Sequence, residues 1–522
     1  VNRLFKIIPL SLLLFASQAF AQVLRNTATF SAATPFLEPD GRKEIVRISE
    51  REFIVVAKTK GQLNTESEYS IEKFDVELKN LFKVPFLVKT YEDILQVWYN
   101  GTDFIIFTVL RNHEAGDSKL IAYGFDSNSG VKKWEKTLME QKVGNYQAVR
   151  HRGAVEESFE NAIASSLSKN YVVPFQFQYY ISFSPDQSRF IAYIFDYSKP
   201  NLVGNATIFD KNLNKLVQGG VPIDNNFINY GVFVNNCSQV YILNVDKLGR
   251  IVVIKFNMET KDNFLLDIQY ASSQREGLKL AFKNDDEVFI GCVNTANGKM
   301  LGVLYAKFNF VSKMVEKLNF HDLGENLKQT ANAIRSGNKN VKGPESWMFY
   351  ELTHFEVNQY EKVLMVLERR ELSAPEYNYQ SEAVLETDRW KERMAKVITE
   401  SVVMFSFNSH DELMWENYFL KSQTSDITAG MTSSSFMLVS DDESLRMIYA
   451  TGDNAAGIFT SYNYVEWNAQ NGNKIKQIKL QNDEKLSLVR NYSIWMGNFI
   501  ILVGRKGLLG KKYMISSFEI NP

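Results

Sequence analysis

The 522-residue sequence has only two cysteines, Cys237 and Cys292, only five histidines, and no apolar run long enough to cross a bilayer. Two cysteines cannot build the disulfide framework on which small exported domains depend, so a packed core must hold the fold. Their separation along the chain neither requires nor forbids a bridge between them. His113, His151, His321, His354 and His410 show no metal-ligand spacing, and H-E-x-x-H, paired C-x-x-C and G-x-S-x-G motifs are all missing. Zinc and serine-hydrolase chemistry therefore have no motif to rest on. Neither sign of charge is in excess: 59 Lys and Arg face 60 Asp and Glu, unlike the dense basic surface of a nucleic-acid channel, and no nucleic acid is expected as a partner. The apolar stretches IIPLSLLLFA and FIILVG fall short of the roughly 18 residues of a membrane helix, so no transmembrane segment is expected.

What is present begins with a targeting signal. VNRLFK supplies Arg3 and Lys6, the apolar run follows, and Ala19-Phe20-Ala21 fits a small-x-small cleavage site before Gln22. Residues 1–21 are expected to be a cleaved signal peptide, with a mature start at Gln22 and a periplasmic or secreted location. No cysteine stands at the cleavage region to carry a lipid. Val1 in place of Met reads as the literal translation of a GTG start and points to a bacterium. With 45% hydrophobic and 13% aromatic residues, residues 22–522 have ample material for a core, and they are read as one domain and as a monomer.

That domain is repetitive. An aromatic residue followed by Asp, Asn or Glu closes an apolar run at Phe74-Asp75, Phe125-Asp126, Phe209-Asp210, Phe256-Asn257, Phe308-Asn309, Phe407-Asn408, Trp467-Asn468 and Phe518-Glu519. Most intervals are about 47 to 60 residues. The two longer ones, 125 to 209 and 308 to 407, are what insertions produce. Physically, the aromatic ends a buried strand and the following polar side chain caps the amides of a turn. Each unit reads as four short strands, such as ILQVWYN, DFIIFTVL, KLIAYGF and VKKWEKTL in the second. Four-stranded units repeated radially predict an all-β, eight-bladed β-propeller, with seven blades as the rival. The last unit shows only three strands before the sequence ends. VLRNTATFS at 23–31 is expected to supply its fourth and shut the ring.

The runs FDSNSGVKKWE (125–135) and FNSHDELMWE (407–416) resemble the blade repeat of quinoprotein-like, PQQ-repeat-like propellers, a group with cofactor-bearing dehydrogenases and a cofactor-free periplasmic scaffold subunit of the outer-membrane β-barrel assembly machinery. The dehydrogenases pair adjacent cysteines against the cofactor and hold calcium with acidic and amide side chains. Cys237 and Cys292 are far apart, so the resemblance implies the scaffold side of the group and no cofactor. Trp134 and Trp415 are read as inter-blade packing residues. Asp126 to Gly130 lacks the later acidic ligand of a calcium loop and is read as an Asx turn. Acidic clusters at Asp285-Asp286-Glu287 and Asp441-Asp442-Glu443 are read as turns, with a glycosidase-type carboxylate pair as the competing possibility.

Insertions are expected at 139–175, 320–345 and 371–399. The first two follow fourth strands and the third joins a second strand to a third, so strand order alone puts all three on one face. Four-residue spacing of Val155, Phe159, Ile163 and Leu167, and of Leu323 and Leu327 followed by Ile334, predicts short amphipathic helices. Phe159, Ile163 and Leu327 are expected to face the propeller or one another in a single lid over the channel mouth. Tyr377, Tyr379 and Trp390 of the third insertion are the candidate partner-binding residues, because rigid exposed rings give contact area at small entropic cost. No residue is assigned a catalytic, cofactor-binding or metal-binding role. The functional expectation is a non-catalytic scaffold that binds an envelope protein or glycan. The competing class is a carbohydrate-active hydrolase or lyase using carboxylates or tyrosines at the channel mouth.

Overall fold

The computed structural model describes residues 23–30, 45–60, 66–112, 117–142, 179–196, 203–222, 227–246, 249–268, 274–338, 343–373, 396–426, 436–451, 461–480, 486–488, 493–506 and 512–520. They form eight separate antiparallel sheets and one helix, α1 (Glu325–Ser336). Seven sheets take four consecutive strands in chain order, and the eighth borrows a strand from the amino-terminal end. The architecture is an eight-bladed β-propeller.

Blade 2 shows how the sequence makes the unit. Its strands Glu92–Tyr99, Asp103–Asn112, Asp117–Asp126 and Lys132–Lys142 pair in order from the axis outward. The middle two are covered on both faces by neighbouring blades, which is why they carry near-continuous apolar sequence. The outer strand leaves its Lys and Glu side chains largely exposed. In every blade the aromatic-polar pair ends the third strand. Asp126 shows its use. Lys133 pairs with one carboxylate oxygen at 3.0 Å, and the backbone N–H groups of Asn128 and Ser129 donate to the other at 3.0 and 2.9 Å. Together they hold the carboxyl well below its usual range, and the stretch is an Asx turn as expected.

The ring closes as the missing strand demands. Val23–Phe30 pairs antiparallel with Lys512–Glu519, from Val23 opposite Glu519 to Phe30 opposite Tyr513, and becomes the outer strand of blade 8. The seven-bladed rival is thereby excluded. The inner position of blade 8 is split between Leu486–Leu488 and Ile494–Met496, both paired with Phe499–Lys506.

The tryptophans pack as expected. Trp415 is buried between blades 6 and 7, donates its Nε1 hydrogen to the Ala469 carbonyl at 3.0 Å, and lies on Gly472, where a Cβ would come within 2.6 Å of the indole. Trp134 reaches the cluster between blades 2 and 3 and covers Gly124 of its own blade. Cys237 lies exposed in a blade 4 turn and Cys292 is buried in blade 5, and no disulfide joins them. No helix of the described residues is long and apolar enough to cross a membrane.

Candidate binding site at the insertion end of blade 6

Connections from second to third strands, and from one blade to the next, lie on one face of the ring, and the stems of all three insertions are on it. The strands run further into the insertions than the sequence suggests. The outer strand of blade 2 reaches Lys142, that of blade 5 (Met314–Asp322) reaches Asp322, and the third insertion shrinks to 374–395 between Val363–Ser373 and Lys396–Phe407. Residues 143–178 and 374–395 lie outside the described residues, and with them Val155, Phe159, Ile163, Leu167, Tyr377, Tyr379 and Trp390.

The second insertion is described apart from 339–342, and it corrects two expectations. Its helix buries Leu327, Ala331 and Arg335, in line with buried Leu323 just before it, whereas Ile334 is 39% exposed. Strict four-residue steps keep one face inward, so the stripe ends on Arg335 and not on Ile334. Secondly, α1 lies against the outer strand of blade 6 (Leu413–Asp426) and roofs the seam between blades 5 and 6. Leu327 faces the propeller as expected, within a cluster that includes Tyr305, Trp347, Val403 and Phe405. The second insertion thus meets the root of the third at blade 6, through Arg335 and Glu400, and lies over the blade 5–6 seam.

An arginine at the end of an apolar stripe needs partners, and Glu345 and Glu400 supply them. Arg335 Nη1 lies 3.1 Å from Glu345 and 2.8 Å from Glu400, the latter in the third strand of blade 6 at the root of the third insertion. Arg369, at the other root, pairs with Glu400 and, at 2.8 Å, with Glu371. The Glu345 side chain is fully buried. Ser401 and Tyr418 hydroxyls donate to its Oε2 at 2.7 Å each, and the Ser346 N–H donates to Oε1 at 3.0 Å. Burial alone would raise the Glu345 pKa. The two hydroxyls and the Arg335 and Arg369 guanidiniums outweigh it and hold the carboxyl below the usual glutamate range. Burial also pushes the Tyr350 and Tyr418 phenols up, so this trio has no group that changes charge near neutral pH and is built to fix positions.

A β-bulge makes the arrangement possible. Successive strand residues normally point to opposite faces, yet Glu400 and Ser401 both reach this cluster, because the ladder shifts between Glu368–Val402 and Arg370–Thr399 and sets two residues opposite Arg369. On the other face of the same blade, Glu368 and Lys421, both fully buried, pair at 2.7 Å, and Arg370 reaches Glu368 at 2.7 Å and Glu351 at 3.3 Å. Both faces of the stem are thus clamped by ion pairs. The second and third strands that flank the third insertion are 11 and 12 residues long, and the outer strand paired beside them has 14, so the insertion is carried on an extended three-stranded stem.

Sequence reasoning missed these residues. The available signal was Arg335 in register with Leu327 and Ala331, and Glu368-Arg369-Arg370-Glu371 ending an otherwise apolar strand. The two acidic clusters, read as turns, sit on the opposite face: Glu287 pairs with Lys307 at 2.6 Å, and Asp441 caps the Ser444 N–H at 2.7 Å. His354 lies 3.1 Å from Glu356 and His321 3.5 Å from Glu416.

No protein-family model matches the chain, and no curated protein matches its sequence. Solved structures are similar in fold. The WD40 domain of SCAP from fission yeast aligns over 95% of this chain and 98% of its own, at 9% identity and a TM-score of 0.42. Polysaccharide lyase Uly1 aligns over 96% and 99%, at 7% identity and 0.40. Dipeptidyl peptidase 4 of Porphyromonas gingivalis aligns over 94% of this chain and 66% of its own, at 10% and 0.35. These proteins are named for unlike activities, and likeness at this level carries no argument about what this chain does.

Proposed function

We propose that this chain is an exported bacterial propeller that acts without catalysis as a binding scaffold for an envelope protein or glycan, through the third insertion of blade 6. One observation carries the reading: the stem of that insertion is held from both faces by buried ion pairs and roofed by α1, far more fixation than a connecting loop needs. A site on a rigid stem loses little conformational entropy on binding. Tyr377, Tyr379 and Trp390, within the insertion, are the contacts. The amino-terminal sequence supports export with cleavage before Gln22, and the Trp-containing repeats at 125–135 and 407–416 support kinship with the cofactor-free side of the quinoprotein-like group.

The test is affinity capture from envelope extracts with the mature chain, alongside a variant with all three aromatics changed to alanine. A component retained by the native chain and lost by the variant is the expected result. Turnover of an envelope polysaccharide by the purified chain, with nothing captured, would replace this reading with the hydrolase or lyase.

A further inference from the structure

The opposite face carries a second feature that the scaffold reading does not use. Between blades 6 and 7, where the first-to-second and third-to-fourth strand turns meet, a cleft open on one side has about 70 Å³ of room. It is bordered by Glu356, Lys362, Ser406, Trp415, Asp441 and Asp442, with Leu364 and Leu445 as apolar wall. Each polar side chain there has a local reason to be where it is, except one. Glu356 accepts hydrogen bonds from Ser440 and His354, Asp441 pairs with Arg446 at 2.6 Å, Asp442 accepts from Asn358 at 3.2 Å, and Lys362 donates to the Ala469 carbonyl. Ser406 is fully buried, its Oγ has no hydrogen-bond partner among the described residues, and it lines the cleft. A buried hydroxyl left unmet costs about 1–3 kcal/mol, so an apolar residue would serve packing better.

We propose that this cleft binds an alkylammonium group, the end of a lysine side chain on a partner or of a free diamine, with Ser406 Oγ and the Asp442 carboxylate accepting its N–H hydrogens. Three observations select that chemistry. The lining has three carboxylates and one ammonium, which favours a cation. The wall of Trp415, Leu364 and Leu445 suits a methylene stem. The room, about 70 Å³, corresponds to roughly five to seven water-sized atoms at about 10–15 Å³ each, which matches an ammonium with its methylenes.

Calorimetric titration of the mature chain at low salt tests the proposal, using Nα-acetyl-lysine methylamide, its Nε-acetylated counterpart, 1,5-diaminopentane and acetate as probes. The lysine amide or the diamine should bind, and the neutral Nε-acetyl form should not. Preference for the lysine amide assigns the group to a partner's lysine, and preference for the diamine assigns it to a free amine. Ser406→Ala and Asp442→Asn should each weaken amine binding by about tenfold or more, the scale of a hydrogen bond to a charged group. Ser406→Ala should also leave the melting temperature unchanged or raised, which a serine kept for packing would not do. The proposal is overturned if no amine binds at millimolar concentration, if the Nε-acetyl probe binds equally well, if acetate binds in place of the amines, or if both variants retain native affinity.

Discussion

Glu345 is the residue on which the blade 5–6 seam turns. Its carboxylate is fully buried and ties α1 to the third and outer strands of blade 6 at once. Removing one partner from such a set leaves charge buried without compensation, so Glu345→Gln should destabilise the fold by about 3 kcal/mol, read as a shift in urea midpoint. A shift within error would mean that Arg335 is satisfied by Glu400 alone. The same residue sets a pH dependence. Its folded pKa lies below that of an ordinary glutamate, so its contribution is fully present above the ordinary glutamate pKa and is lost as pH falls below it toward the folded value. As pH falls below the ordinary glutamate pKa, about 4.3, the native chain should therefore lose more stability than Glu345→Gln does. Parallel acid-denaturation curves for the two would contradict this.

At the scale of elements, the closing strand and the blade 6 stem invite opposite comparisons with the sequence. The closing strand was legible: a unit with three strands leaves an open edge, and only one other segment had strand composition and no partner. Truncating the chain to begin at residue 31 removes a whole backbone ladder with Lys512–Glu519, and should lower the melting temperature sharply and expose an aggregation-prone edge. A peptide of residues 23–30 added in trans should recover part of the loss. A truncated chain that melts with the native one would remove the closure. The stem was less legible. Strand alternation and turn residues place blade 6 correctly, yet the bulge opposite Arg369 and the burial of Glu368, Lys421 and Glu345 depend on partners distant in sequence. A one-dimensional pattern reads charged residues as exposed, and only the fold brings opposite charges close enough to bury them. For α1 the periodicity was right and its last member wrong, because an arginine was discounted as a core residue.

For the molecule as a whole, strand order makes the two faces of the ring chemically different: one carries the three insertion stems, the other tight turns and the blade 6–7 cleft. If the insertion of blade 6 is a contact surface and not part of the core, changing Tyr377, Tyr379 and Trp390 together to alanine should leave the melting temperature nearly unaltered, since exposed substitutions usually cost less than about 0.5 kcal/mol each. A large drop would place these rings in the core. The most direct measurement of the central claim is site-specific photo-cross-linking in intact source cells, with a photoreactive residue at position 379 or, as the opposite-face control, at exposed Lys211 in the blade 3 turn. A discrete adduct from position 379 and none from position 211 is the predicted result. An adduct from 211 alone, or from neither, would contradict a scaffold that works through its insertion face.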